Sequence, residues 1–129
     1  MELQKIIRKD SSEEVEMKSL IGKELDAIIT RPIGTVHPRY KDIIYEVNYG
    51  ILKDYELKDN KELKTYIVGE SMPTSQNGIY HGKVLAILHR LNDDNDRIII
   101  APIGRTLSDD EIISKTEFAE QYFVSEIIR

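Results

Sequence analysis

GKVLAILHRLNDDNDRIIIAP, residues 82–102, decides the fold class of this 129-residue chain. Residues 82–89 form a nearly continuous apolar run, which is typical of a strand buried on both faces. Residues 92–96, NDDND, are of the types that favour a tight turn. Residues 97–101, RIIIA, predict a returning strand, which ends at Pro102 because proline cannot donate to the ladder. The stretch therefore predicts a β-hairpin.

Shorter alternations of apolar and polar residues predict further strands on the N-terminal side of this hairpin. Residues 23–30, 43–49 and 64–68 combine β-branched or aromatic residues with a period of two. Residues 52–64 are dense in charge and lack a helical stripe, so they are predicted to form an ordered polar loop. Residues 70–78, ESMPTSQNG, predict a connection rich in turns.

Two capping-box spacings predict helices. Ser108 stands three residues before Glu111, and a closing amphipathic helix is expected over 109–123. Its apolar stripe would comprise Ile112, Thr116, Ala119 and Phe123. Several short strands with one terminal helix predict a small closed β-barrel with helical flanks, of the α+β class.

The first nineteen residues are predicted to be an extension of the barrel domain, which would span 20–129. Ser11 stands three residues before Glu14, which predicts a short helix over 12–20. A secretory signal or a membrane span requires a long apolar run, whereas residues 1–20 carry charges throughout and contain no such run. A cytoplasmic protein with no membrane partner is therefore expected.

Composition excludes several classes of function. The formal net charge is −5 and the pI is about 5.2, which argues against nucleic-acid binding because that needs concentrated Lys and Arg. The chain contains no cysteine, so disulfides, thiolate metal sites and a cysteine nucleophile are ruled out. It also lacks a glycine-rich phosphate loop, a GxSxG elbow and an HExxH motif.

Acidic residues in two loops are candidates for a divalent cation. Mg²⁺ prefers oxygen ligands, and carboxylates from two separate loops at one end of a barrel could supply them. Asp93 and Asp96 are such donors, yet the same residues also suit a hairpin turn that holds no metal. Tyr45 and Tyr49 share one face of a strand, where they could line a pocket or fill the core.

Five blocks of sequence, taken in order, resemble the soluble inorganic pyrophosphatases of the barrel type, especially the short bacterial members. The blocks are RPIGTVHP (31–38), IIYEVNYG (43–50), KTYIVGE (64–70), GKVLAILHRLNDDNDRIIIAPIG (82–104) and EFAEQYFVSEI (117–127). The most specific of them is Y-x-V-N-Y-G, which is followed after a short spacer by an acidic loop. Each block alone is a weak signal, but five in the same order are not expected by chance.

The resemblance implies a five-stranded OB-like closed barrel, mainly β, that commonly assembles into homo-oligomers. It also implies an active site at the barrel mouth, where carboxylates hold Mg²⁺ for hydrolysis of diphosphate to phosphate. Catalytic roles are implied for Asp59 and Tyr45. The implied metal ligands are Asp59, Glu62, Asp93 and Asp96. The implied contacts to the phosphates are Arg31, Tyr49, Arg97 and Tyr122.

The sequence departs from this family in its metal loop. The family pattern is D-x-[DE]-x-x-D, whereas residues 59–64 read DNKELK, with Lys61 and Lys64 at the second and third acidic places. An ammonium group cannot coordinate Mg²⁺, and near a dication it adds repulsion of several kcal/mol, on the order of the Coulomb energy at about 4 Å. These replacements predict that metal-dependent hydrolysis is weak or lost.

Two functions on the same barrel therefore stay open. The first is an inorganic pyrophosphatase with weak or no activity, and the alternative is a non-catalytic protein that binds phosphate or another anion, or a protein partner. Lys61 and Lys64 could stand where metal ions would otherwise lie, or could be solvated residues of a surface loop. A nucleic-acid module, the third class, is disfavoured by the acidic balance and by the presence of only two Phe and no Trp.

Overall fold

The computed structural model describes residues 4–11 and 13–129. Within them the chain forms eight β-strands, one α-helix and a single turn of 3-10 helix. The strands are β1 (Lys5–Arg8), β2 (Glu13–Glu16), β3 (Glu24–Arg31), β4 (Asn48–Leu57), β5 (Glu62–Ile67), β6 (Ile79–Arg90), β7 (Arg97–Ala101) and β8 (Ser125–Ile128). The helix α1 spans Asp109–Glu120, and the 3-10 turn spans Met17–Leu20.

Five of the strands close into a barrel, as predicted. The hydrogen-bonded order is β3–β4–β5–β7–β6, and β6 returns to β3. All of these pairings are antiparallel except that of β5 with β7, which is parallel. The β1–β2 hairpin extends the sheet beside β4, and β8 pairs with β6. Closure leaves the five barrel strands without a free edge.

The alternation of side chains along the barrel strands produces two cores. Ile98 and Ile100 of β7 point into the barrel, where they join a cluster drawn from all five strands. Ile99, between them, points outward into a second cluster, which α1 covers through Ile112. The apolar run of β7 is thus continuous because this strand is buried on both faces, as its composition predicts.

Gly50 marks a point where two barrel strands approach closely. A Cβ atom built at this position would lie 1.9 Å from the backbone oxygen of Ile28 in β3. The β3–β4 register also shifts between Ile29 and Arg31, next to this contact. Glycine is therefore required for the barrel to close here, because any side chain would collide with the neighbouring backbone.

The hairpin that decides the fold class is confirmed. Strand β7 has the predicted bounds, and β6 contains the predicted strand 82–89. The predicted strands 23–30 and 64–68 are also present, displaced by one or two residues. Connection 70–78 is irregular, as expected.

The predicted strand 43–49 is largely wrong as regular secondary structure. Only one isolated bridge, between Val36 and Ile44, precedes the start of β4 at Asn48. The segment pairs with the irregular backbone of residues 34–37, because Pro38 and its neighbours cannot extend a regular ladder. The predicted alternation nevertheless holds for burial over residues 43–47, since Ile43 and Tyr45 are buried while Ile44 is exposed, but it fails at Asn48, which is fully buried.

The predicted polar loop 52–64 is also wrong. Strand β4 continues to Leu57 and β5 begins at Glu62, so the segment is a hairpin with a short turn. Leu52 and Tyr55 are buried while the charged residues between them face solvent. The density of charge reflects one solvated face of a strand and not the absence of a strand.

The predicted helix 12–20 is wrong for its described part. Residues 13–16 are strand β2, paired with β1, and only residues 17–20 form a helical turn. Ser12 lies outside the described residues. Ile6 of β1 is fully buried in the barrel core. The boundary at residue 20 between an N-terminal extension and the barrel domain stays a prediction, although β1 of the predicted extension contributes Ile6 to the barrel core.

The closing helix is confirmed, and its capping box is formed by Ser108 and Glu111. It ends at Glu120, three residues earlier than predicted, and the chain then adds the unpredicted strand β8. Of the predicted apolar stripe, Ile112 and Thr116 are buried, Ala119 is only partly buried, and Phe123 lies beyond the end of the helix. None of the helices among the described residues has the length and apolar character that crossing a membrane demands.

Candidate functional site

A cavity of about 620 Å³ lies beside the barrel, on the face covered by the second cluster. It is bounded by the segment 31–45, by strands β5 and β7, and by the C-terminal end of α1. Its lining residues are Arg31, His37, Tyr40, Asp42, Ile43, Tyr45, Tyr49, Lys64, Tyr66, Arg90, Arg97, Ala119, Tyr122 and Phe123. The register brings them together, since Lys64 pairs with Arg97 across the β5–β7 ladder.

The cavity gathers all the residues for which the resemblance implied a phosphate contact. Arg31, Tyr49, Arg97 and Tyr122 line it, and so does Tyr45, for which a catalytic role was implied. They come from widely separated parts of the chain. Closure of the barrel and packing of the C-terminal segment bring them around one space.

Four cations line this cavity, namely Arg31, Lys64, Arg90 and Arg97. The formal net charge of the whole chain is −5, so the cavity is a local positive region of an acidic protein. Burial, and then the charges of Arg97 and Arg90, lower the pKa of Lys64. The cations of the cavity therefore repel one another, and a bound anion would relieve this repulsion.

Arg97 presents the clearest unsatisfied group. Its side chain is 8% exposed, and its Nε has no hydrogen-bond partner in the part of the chain that the structure describes. Its Nη1 donates to the carbonyl oxygen of Asn95 at 3.0 Å. A buried guanidinium N–H without an acceptor costs about 1–3 kcal/mol or more, so a small shift of this side chain towards a ligand oxygen would be favourable.

Arg90 forms the wall behind these groups. Its Nε donates to Glu120 Oε1 at 2.9 Å, and its guanidinium carbon lies 3.6 Å from the centre of the Phe123 ring. Tyr66 Oη donates to the same Glu120 carboxylate at 2.7 Å. Burial and the Glu120 charge raise the pKa of Tyr66, so this phenol stays neutral. Glu120 thus offsets the charge of Arg90 but does not pair with Arg31, Lys64 or Arg97.

The tyrosines of the inner wall are ordered by contacts with each other and with Arg31. The Arg31 guanidinium lies 5.5 Å from the Tyr45 ring centre and 5.3 Å from that of Tyr49, and its Nη1 donates to Tyr45 Oη. Burial raises the pKa of Tyr49, against the opposing charge of Arg97. The Tyr49 phenol is therefore a neutral donor at neutral pH, suited to hydrogen-bond a phosphate oxygen.

The residues implied as metal ligands do not converge in this cavity. Asp59 lies in the exposed turn between β4 and β5, where one of its oxygens is 3.6 Å from Lys61 Nζ. Glu62 is exposed at the start of β5. Of the two lysines that replace acidic residues, Lys64 lines the cavity, whereas the Lys61 side chain is 74% exposed.

Asp93 and Asp96 line a separate cavity of about 310 Å³, which shares only Arg90 with the first. Both carboxylates already have partners. Asp96 Oδ2 lies 2.8 Å from His89 Nδ1, and its Oδ1 accepts from the Arg90 backbone at 3.1 Å. Burial would raise the pKa of Asp93, but hydrogen bonds from Asn95 and the charge of Arg90 lower it overall. These bonds are those of an ordered turn.

The lining of the large cavity does not fit Mg²⁺. The ion takes oxygen ligands, mainly carboxylates, whereas the described residues that line this cavity include four cations and a single carboxylate, Asp42. Across residues 4–11 and 13–129, no group of three or more His, Asp or Glu side chains is placed to hold a metal. An anion matches this lining better than a cation does.

Several lining residues were missed from the sequence. Two of them, Arg90 and Tyr66, are held by Glu120, which lies 30 and 54 positions away from them in the sequence. Phe123 reaches the site because its ring stacks on the guanidinium group of Arg90. Sequence spacing cannot reveal such contacts. The available signal was the strand alternation, which places Tyr66 on the same face as Lys64 two residues before it.

Solved structures share this fold. The chain is similar to an inorganic pyrophosphatase from Ehrlichia chaffeensis, with 14% identity, 82% of this chain and 85% of that chain covered, and a TM-score of 0.65. It is similar to an inorganic pyrophosphatase from Neisseria gonorrhoeae, with 16% identity, 83% of this chain and 81% of that chain covered, and a TM-score of 0.61. It is also similar to an inorganic pyrophosphatase from Coxiella burnetii, with 12% identity, 83% of this chain and 84% of that chain covered, and a TM-score of 0.60.

No family model matches the sequence, and no curated protein matches it either. At identities of 12–16%, the structural likeness shows that the fold is that of the bacterial inorganic pyrophosphatases. It extends over most of both chains. A shared fold does not fix the chemistry, which depends on the side chains of the site.

Proposed function

We propose that this chain binds a small phosphate-bearing anion, such as diphosphate, in the 620 Å³ cavity, and that its metal-dependent hydrolysis of diphosphate is weak or lost. The protein would be a relative of the inorganic pyrophosphatases in which direct contacts from cations replace contacts through metal ions. The homo-oligomer implied by the resemblance and the cytoplasmic location expected from the sequence stay predictions, whereas the magnesium ions implied by the resemblance are not required for the binding proposed here.

One observation carries the proposal: the cations Arg31, Lys64 and Arg97 line one cavity, and the Nε of Arg97 has no acceptor among the described residues. Arginine suits phosphate because its planar fork of donors matches two phosphate oxygens. Tyr49 adds a neutral donor next to it. Together these groups provide charge and hydrogen bonds for an anion without any metal ion.

The expectation of weak hydrolysis rests on the same charges. In metal-assisted hydrolysis, the ions generate the nucleophile and neutralise the charge of the transition state. Lys64 faces the cavity at a place where the family pattern has a carboxylate, and Asp59 lies outside it. A cationic side chain can stabilise phosphate charge, but it cannot act as a metal ligand or as a base while it is protonated.

Two assays test the proposal. Phosphate release from diphosphate is measured with excess Mg²⁺ or Mn²⁺, for the wild type and for Asp59→Asn. In parallel, the melting temperature is measured with EDTA, with and without diphosphate, because a ligand that binds only the folded state raises it. We expect little phosphate release, no effect of Asp59→Asn, and a higher melting temperature with diphosphate in EDTA.

The opposite pattern would support an active pyrophosphatase. It consists of rapid phosphate release that falls in Asp59→Asn, together with a thermal shift that needs the metal. A matched control is Lys53→Gln, because Lys53 is an exposed lysine of β4 outside the cavity. Lys64→Gln and Lys53→Gln each remove one positive charge, but only Lys64→Gln should reduce the thermal shift that diphosphate produces in EDTA.

A further inference from the structure

The cavity is larger than an inorganic diphosphate requires. Its volume of about 620 Å³ lies within the range of about 300–1,000 Å³ typical of pockets that hold drug-sized molecules. Inorganic diphosphate is much smaller than such a molecule and would leave a large part of the space to solvent. The remaining space therefore has room for an organic group attached to the phosphates.

The cavity has a cationic inner part and an aromatic rim. Arg90 and Arg97 are 4% and 8% exposed, and they form the inner wall with Tyr66. At the outside, Tyr40 and Tyr122 are 52% and 60% exposed. A ligand with charged phosphates at one end and a flat apolar ring at the other matches this division.

His37 joins the rim to the inner wall. Its Nδ1 accepts hydrogen bonds from the backbone N–H groups of Arg39 and Tyr40, at 3.0 and 3.1 Å, which fix the ring. The ring is nearly parallel to that of Tyr45, at 9° and 6.1 Å between centres, and lies 5.1 Å from that of Tyr40. Burial and the charge of Arg31 lower its pKa, so the ring is neutral and offers an aromatic face.

Asp42 is exposed near the same rim, and it is the one carboxylate among the described residues that line the cavity. It would repel a phosphate group placed beside it. A carboxylate accepts hydrogen bonds from hydroxyl or amino groups, which a nucleoside carries and inorganic diphosphate lacks. Its position is therefore explained if the outer end of the ligand is a sugar or a base.

We infer that the ligand is a nucleoside diphosphate, bound with its phosphates at Arg31, Lys64 and Arg97 and its base against the aromatic rim of His37, Tyr40 and Tyr122. The inference rests on the proposed function, since it specifies the anion that the same cavity takes. Aromatic side chains stack on any base, because every base has a π-face. The rim thus predicts preference for a nucleotide over inorganic diphosphate but does not select one base.

Calorimetric titration in EDTA tests this inference. The probes are ADP, GDP, CDP, UDP, inorganic diphosphate and methyl diphosphate, which carries the same phosphates without a base. At least one nucleotide should bind about tenfold or more tightly than methyl diphosphate, as expected for stacking of one base. If all four nucleotides bind no more tightly than methyl diphosphate, the inference is wrong and anion binding stands. If no probe binds, both are wrong.

Rim variants separate stacking from general effects. Tyr40→Ala and Tyr122→Ala should each weaken binding of the preferred nucleotide about fivefold or more and change binding of methyl diphosphate less than about twofold. For Tyr122, which is 60% exposed, this base contact takes the place of the phosphate contact that the resemblance implied. Ile44→Ala and Val124→Ala are matched controls, because both are exposed neighbours that do not line the cavity. Loss of affinity in neither rim variant, or equal loss for both ligands, would overturn the assignment of the rim.

Discussion

Replacing Lys64 by glutamine should weaken anion binding without weakening the free protein. Lys64 Nζ lies 3.5 Å from the neutral Asn95 Oδ1, and the charges that act on it are the cations Arg97, Arg90 and Arg31, opposed by the single carboxylate of Asp93. Its positive charge is therefore unfavourable in the empty cavity and favourable when an anion is present. Binding and stability should consequently respond to the substitution in opposite directions.

The size of the binding effect follows from charge and exposure. A unit charge pair at about 4 Å is worth about 4 kcal/mol at an effective dielectric of about 20. Because Lys64 is half-buried and glutamine still offers an N–H donor, we discount this to about 1–2 kcal/mol. The dissociation constant of diphosphate should rise about 5- to 30-fold, measured by calorimetry in EDTA.

The pH dependence of stability has a definite sign. Burial and the neighbouring cations lower the pKa of Lys64 in the folded state, so the unfolded chain binds more protons between that pKa and the ordinary lysine value. The free energy of unfolding of the wild type should therefore rise with pH across this alkaline window, relative to Lys64→Gln. Urea unfolding without ligand measures it. A loss of stability in Lys64→Gln together with unchanged binding would refute the reasoning.

Three further substitutions test the framework of the site. Glu120→Ala leaves the buried Arg90 without its carboxylate and should cost about 3 kcal/mol in urea unfolding, whereas the exposed Glu117→Ala on the same helix should change stability by less than about 0.5 kcal/mol. The folded fraction of Glu120→Ala should also bind diphosphate more tightly. Gly50→Ala should destabilise by about 3 kcal/mol or prevent folding, because the added Cβ meets backbone at 1.9 Å; near wild-type stability would contradict the barrel closure. Ile6→Ala should cost about 3 kcal/mol, since this side chain is fully buried; a loss below about 0.5 kcal/mol would separate the N-terminal strands from the core.

The parts of the fold that the sequence predicts are those with strong local signals. Strand β7 is continuous in β-branched residues because both of its faces are buried, and α1 begins at a capping box. The hairpin of β4 and β5 escaped prediction because charges on its solvated face hide the buried positions Leu52 and Tyr55. Strands β1, β2 and β8 have four residues each, too few for a periodic pattern, and form through pairing with longer strands.

The site divides in the same way. Tyr45, Tyr49 and Arg97 were found because family motifs contain them, and the structure brings them together around one cavity. The role of Arg90 depends on Glu120, and the aromatic rim depends on how the C-terminal segment folds back, so neither appears in any local spacing. The motif also named Asp59, which the exposed turn keeps outside the cavity.

Titration of inorganic diphosphate into the wild-type protein, first in EDTA and then with Mg²⁺, tests the central claim most directly. If Arg31, Lys64 and Arg97 hold the anion themselves, heat of binding should saturate in EDTA, and Mg²⁺ should not increase the affinity. Binding that appears only with Mg²⁺, accompanied by rapid release of phosphate, would contradict the claim.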